Sequence, residues 1–141
     1  MTPSPLTDAE LLAQPADHYM NDAQQQFFRA LLLRQRGELQ ARIAQEFESL
    51  REREPSSDPA DIGSAEERHQ WQLRLLEREK KLLDKLDEAL DRLARGEYGW
   101  CRETNEPIGL KRLLPRPTAS LCTEAKERQE QREKHLRDRD Y

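Results

Sequence analysis

Cysteine is nearly absent from this chain: Cys101 and Cys122 are the only two in 141 residues. In a reducing compartment two thiols read as free rather than as a structural disulfide. Aromatic residues make up only 6% and apolar residues 35%, against 37% charged. That balance excludes a broad globular core. It fits long solvated helices with a narrow apolar seam, and the leucine periodicity below argues against disorder. No apolar run reaches the length of a membrane span, and the N-terminal residues lack the apolar core of a signal peptide, so a cytoplasmic placement without membrane attachment is expected. Charge of one sign is also missing. Residues 101–141 carry ten Lys/Arg against eight Asp/Glu, and residues 1–100 carry fourteen against twenty. Neither part has the clustered cations of non-specific duplex binding. The three histidines, His18, His69 and His135, are scattered. No nucleophile elbow, P-loop or dinucleotide-binding pattern occurs, and CxxC is absent, so an enzyme is not expected.

What is present is half of a zinc frame. A four-cysteine ribbon repeats C-x2-C after a spacer of roughly 15–20 residues. Cys101 and Cys122 each stand where such a pair begins, with Thr104 and Ala125 where the second cysteines belong. Thr is a poor zinc ligand and Ala is none. The frame indicates a zinc-ribbon-like unit, and its gaps predict that the metal is absent.

The rest of the chain is organised by prolines and heptads. Thr7-Asp8-Ala9-Glu10 has capping-box form and opens a short helix that Pro15 ends. From about Asn21 to Glu54, Phe28, Leu32, Leu39, Ile43, Phe47 and Leu50 mark one helical stripe. At 1.5 Å per residue this helix is roughly 50 Å long. Pro55 to Pro59 stop it. Ser64-Ala65-Glu66-Glu67 resembles a capping box for a second helix running to about Arg95. Leu76, Leu83 and Leu90 are seven apart, as are Leu86 and Leu93, which is an a/d seam; His69, seven before Leu76, falls on it. Gly96 suits the terminator. Two long helices and a short loop predict an antiparallel hairpin. A plain dimerising coiled coil is the competing reading. Residues 97–121 concentrate Gly, Pro, Tyr and Trp, as in a small ribbon of turns and short strands. From Cys122 to about Arg137 the chain is helical again and highly charged. The expected fold is mainly α: an N-terminal segment with a short helix (1–20), a long coiled-coil hairpin (21–96) with its tip at 55–63, a degenerate, metal-free zinc-ribbon-like domain (97–121) and a C-terminal helix (122–141).

Two groups of residues are candidates for function. Asp58 and Asp61, three apart at the tip, could approach a bound metal ion or a basic surface. Both could equally be helix N-caps, because Pro59 suits a first helical position. Lys85, Arg116 and Lys126 could converge into an anion pocket if the ribbon packs on the helix ends; otherwise they are solvated surface.

Taken in order, the hairpin, Asp58-Pro59-Ala60-Asp61, Tyr98-Gly99-Trp100-Cys101 and Arg116-Pro117-Thr118-Ala119-Ser120-Leu121-Cys122 resemble the DksA family of bacterial RNA polymerase-binding transcription factors. Within it they are most similar to the zinc-independent, two-cysteine paralogues. The likeness runs from about Tyr19 to Lys134. It implies a hairpin that enters the secondary channel of RNA polymerase and brings Asp58 and Asp61 near the active site, where they affect open-complex stability without performing chemistry. It also implies joint action with the alarmone ppGpp, inhibiting ribosomal-RNA promoters and activating some amino-acid biosynthesis promoters. By the same resemblance ppGpp binds between factor and polymerase at Leu82, Lys85, Arg116 and Lys126, and Arg78 grips the polymerase rim. The implied partners are RNA polymerase and ppGpp, with no sequence-specific DNA binding, and the implied state is a monomer. A structural or adaptor hairpin that dimerises through its seam is the alternative.

Two departures from the family pattern matter. With Thr104 and Ala125 in the zinc frame, the ribbon must hold its shape by packing. Trp100, Leu110, Leu113, Leu114 and Leu121 are available for that. Gly63 stands where the family usually has alanine, which loosens the start of the second helix.

Overall fold

The computed structural model describes residues 6–52 and 59–139, with side chains described for 6–52 and 63–137. Asp58 lies outside the described residues. Five α-helices occur in the described chain: α1 (Asp8–Ala13), α2 (Asp22–Arg51), α3 (Pro59–Ala94), α4 (Leu110–Leu113) and α5 (Thr123–Arg139), with a 3-10 turn at Ala16–His18. The chain divides into a hairpin unit, Leu33–Asp87, and a terminal unit, Met1–Leu32 with Glu88–Tyr141.

In the hairpin unit α2 and α3 pack antiparallel. Three pairs define the register. Arg36 Nε donates to Asp87 Oδ1 at 2.6 Å, the Glu46 and Glu79 carboxyls are within hydrogen-bonding reach, and Lys80 Nζ lies 5.6 Å from the Phe47 ring centroid. As the α2 number rises, the α3 number falls. Leu39 and Leu86, both buried, therefore sit at one level, and Leu76 is buried farther along. Leu83, on the same heptad as Leu76, is only half-buried. Towards the far end the stripe thins: Ile43 and Leu50 are only half-buried and Phe47 is 41% exposed.

Helix α3 starts at Pro59, six residues earlier than a capping box with Ser64 as N-cap predicts. A proline has no N–H to lose at a first helical position and its φ already suits a helix, so Pro59 opens the helix. Ser64 becomes an interior residue whose carbonyl accepts from Arg68 Nε at 3.4 Å. Asp61 is then the third residue of α3.

The terminal unit holds the widest core. Leu11, Phe28, Leu32, Leu113 and Ala125 have no exposed surface, and α1 packs on α4. The capping box at Thr7 forms as read, its hydroxyl accepting the Glu10 N–H at 3.1 Å. Helix α3 ends at Gly96, with φ +76°. The Gly96 N–H reaches Leu93 O and the Glu97 N–H reaches Arg92 O at 2.8 Å, the two-bond pattern of a left-handed C-terminal cap.

Residues 97–121 contain no strand among the described residues, contrary to the expected ribbon of short strands. One isolated bridge pairs Trp100 with Pro107. Between them the Asn105 N–H returns to Cys101 O at 2.9 Å, and Asn105 takes a left-handed φ of +60°. So tight a turn uses up the residues that a ladder needs.

Candidate functional site

The zinc frame assembles in space. The Thr104 hydroxyl and the Cys122 thiol are 3.9 Å apart, and Arg102 N–H donates to Ser120 O at 2.9 Å, tying the two knuckles together. Ala125, on the first turns of α5, is fully buried. Cys101 is buried, which pushes its thiol up. The Thr104 hydroxyl and the backbone N–H groups of Cys122, Thr104 and Glu103 outweigh that and bring it down to about 6.

This donor set does not fit a structural zinc ion. Such sites take four Cys or His ligands in a tetrahedron. Here two positions offer thiols, one a hydroxyl and one a methyl group. No cluster of three or more His, Cys, Asp or Glu side chains suited to a metal occurs among the described residues.

Hydrogen bonds and packing from outside the frame hold it. The Tyr19 hydroxyl donates to Gly99 O at 2.5 Å and accepts the Gly109 N–H at 3.0 Å. Its ring meets Trp100 edge-on, with centroids 5.2 Å apart. The Tyr98 hydroxyl donates to Pro117 O at 2.6 Å, and burial pushes it far above the usual phenol range. Arg92 donates from Nη2 to Trp100 O at 2.7 Å, so a buried guanidinium closes the end of α3. Gln24, fully buried, accepts the Met20 N–H at 2.7 Å and donates to Gln14 at 2.7 Å. Of the residues read from sequence as available for packing, Leu113 is buried, and Trp100, Leu110, Leu114 and Leu121 are half-buried. Tyr19 and Leu11 join this core through partners some 80–100 residues away, whereas Gln24 is a polar residue buried through local partners, Met20 and Gln14.

The other candidate residues are distributed as follows. Arg78, Leu82 and Lys85 are exposed on α3 within the hairpin unit. Arg116 is exposed in the turn after α4, where its N–H donates to Arg112 O at 3.1 Å. Lys126 is half-buried on α5 and donates from Nζ to Gln129 Oε1 at 3.2 Å. The side chain of Asp61 lies outside the described residues. A cavity of about 110 Å³ opens in the terminal unit between Tyr19, Met20, Gln25, Leu93 and Trp100; no candidate site residue lines it.

Comparison with known proteins places this arrangement. Residues 24–93 match the family model for the N-terminal domain of the DnaK suppressor protein DksA. Residues 96–131 match that of the prokaryotic dksA/traR C4-type zinc finger. The chain is similar to the RNA polymerase-binding transcription factor DksA of Caulobacter vibrioides, 43% identical over 121 residues and 85% of each chain. It is also similar to that of Escherichia coli, 33% identical over 124 residues, covering 87% of this chain and 82% of the relative. Among solved structures, transcription factor DksA2 from Pseudomonas aeruginosa superposes with a TM-score of 0.83 at 72% identity, covering 92% of this chain and all of that one.

Proposed function

The chain belongs to the DksA family, and from that premise we propose that it is a non-catalytic regulator of transcription initiation that binds RNA polymerase through the secondary channel. It acts there with ppGpp and without zinc, as a cytoplasmic monomer that reads no DNA sequence. The observation that carries the reading is agreement over nearly the whole length, in sequence and in fold, with proteins named as RNA polymerase-binding or transcription factors.

The physical parts of this reading follow from the chain itself. Helix α3 has 36 residues, about 54 Å of rise, which is long enough to carry a tip deep into a channel. The aspartates at 58 and 61 then bring carboxylate charge near the polymerase active site, altering open-complex stability by electrostatics. Leu82, Lys85, Arg116 and Lys126 supply the factor's contacts to ppGpp, with Arg to grip phosphate oxygens bidentately and Lys as point charge, and Arg78 holds the rim. Zinc independence is supported by the donor set and by a core of tyrosines, Leu11, Phe28 and Leu113 that closes the unit by packing. Such a factor keeps its fold when metal is scarce, since a structural zinc site couples folding to metal supply.

The test is a double substitution, Asp58→Asn with Asp61→Asn. Binding to RNA polymerase is expected to stay within about twofold of the parent while inhibition of a ribosomal-RNA promoter is lost. Full inhibition by the double variant contradicts the tip mechanism.

A further inference from the structure

We infer that the cavity between Tyr19, Tyr98 and Trp100 in the terminal unit is a binding site for a methylated ammonium group, which the aromatic rings hold as a cage. The site involves none of the residues proposed to meet polymerase or ppGpp, and it does not depend on that proposal.

Aromatic residues are only 6% of the chain, yet three of them line this one cavity of about 110 Å³, together with Met20, Gln25 and Leu93. The Tyr19 and Trp100 rings stand at 89° with centroids 5.2 Å apart, so two walls meet at a right angle. The Tyr19 and Tyr98 hydroxyls are engaged by backbone groups, which fixes their rings. A fixed ring carries negative charge density on its face and attracts a cation. Met20 adds a second signal. It holds a left-handed φ of +56°, a conformation that costs a non-glycine residue free energy. Gln24 Oε1 accepts its N–H and Gln25 Nε2 donates to its carbonyl, and the two amides keep it there. Gly99 makes room for its side chain, since a Cβ at that position meets Met20 atoms at 2.9 Å. Backbone strain of this kind gathers at ligand sites.

The lining selects positive charge. Among the described residues no Lys or Arg lines the cavity. Leu93 and Gly96 bring to it the C-terminal end of α3, the negative end of the helix dipole. The opposite end of α2, near Gln25, is offset by Asp22 in its first turn. Of the arginines near the end of α3, Arg92 spends Nη2 on the Glu97 and Trp100 carbonyls, and Arg95 pairs with Asp91 and Glu97. Gln25 has given an N–H to Met20, which leaves its side-chain oxygen as an acceptor. An anion therefore finds no partner here. A bare ammonium would lose hydration that rings do not replace. Methyl groups spread the charge over an apolar surface that packs on rings and on the Met20 thioether. A cavity of about 150 Å³ takes a benzene ring, so this one has room for a trimethylammonium head and not for a nucleotide.

The experiment uses the full chain carrying Trp71→Phe, which leaves Trp100 as its only tryptophan. Trp100 emission is followed while choline, or a peptide bearing one trimethyl-lysine, is added. The uncharged isostere of choline, with carbon in place of nitrogen, and potassium chloride are run in parallel. A saturable change with at least one methylated cation is expected, and the tighter of the two identifies the source as a free metabolite or a modified protein. The uncharged isostere is expected to bind about tenfold more weakly, the scale of a desolvated cation–π contact. Leu93→Phe, which fills the cavity from α3, is expected to abolish the change. If that variant melts lower than the parent, choline against its uncharged isostere decides alone. No saturable change with either cation, equal binding of the isostere, a change that potassium chloride reproduces, or undiminished binding by a stably folded Leu93→Phe overturns the site.

Discussion

Glu46 on α2 and Glu79 on α3 set two carboxyl groups against each other inside the hairpin. Oε2 of each is buried with no donor beside it among the described residues, and the two side chains hydrogen-bond only when a proton lies between them. Burial first, and then the Glu79 carboxyl, push Glu46 above its ordinary value. A group whose pKa is raised by folding stabilises the fold below its unfolded value, and the contribution is lost as pH rises through the folded value. The hairpin is therefore expected to melt higher as pH is lowered from neutral into the range just above the ordinary glutamate pKa. Glu79→Gln is expected to raise the neutral-pH melting temperature and flatten this dependence. Thermal melts by circular dichroism over pH 4.5–7.5 check it; an unchanged slope in the variant counts against the shared proton.

Glycines in this chain serve two opposite conditions. Gly99 has φ +92°, and a Cβ there meets Met20 side-chain atoms at 2.9 Å. Gly99→Ala is expected to cost roughly 2 kcal/mol or more, by backbone strain of about 1–2 kcal/mol and by the clash. Gly37 and Gly63 lie within helices with open space around the missing Cβ. Ala at either is expected to add about 0.5–1 kcal/mol. Urea denaturation distinguishes the two classes, and a destabilised Gly37→Ala contradicts the geometry.

The zinc frame keeps two of its four thiols, with the Thr104 hydroxyl 3.9 Å from the Cys122 thiol. Thr104→Cys with Ala125→Cys is expected to bind one zinc per chain and to make the melting temperature sensitive to chelator. The parent is expected to hold well under one zinc and to melt alike with and without chelator. Metal analysis and melts on both proteins decide this. A parent that loses stability in chelator would show that other donors complete the site.

How far the sequence reveals this molecule depends on the range of the interaction. The seam is readable because Leu76, Leu83 and Leu90 repeat every seven residues, and Gly96 because a left-handed cap favours glycine. The start of α3 is ambiguous locally, since Ser64 with Glu67 and Pro59 are both valid start signals, and only the fold shows that Pro59 prevails. The packing of Leu11 near α4, and the Tyr19 hydroxyl bridging Gly99 and Gly109, join segments far apart in the chain, so no periodicity announces them. The turn at Asn105 replaces the expected strands because one residue with φ +60° reverses the chain too soon. The frame at 101, 104, 122 and 125 is the candidate site most fully readable from spacing alone.

The most direct measurement of the central claim is in vitro transcription from a ribosomal-RNA promoter, using purified chain stripped of metal with chelator, with and without ppGpp. The expected result is inhibition by the chain that deepens when ppGpp is added and does not change when zinc is restored. No inhibition at concentrations that saturate polymerase, or inhibition only after zinc is returned, contradicts it.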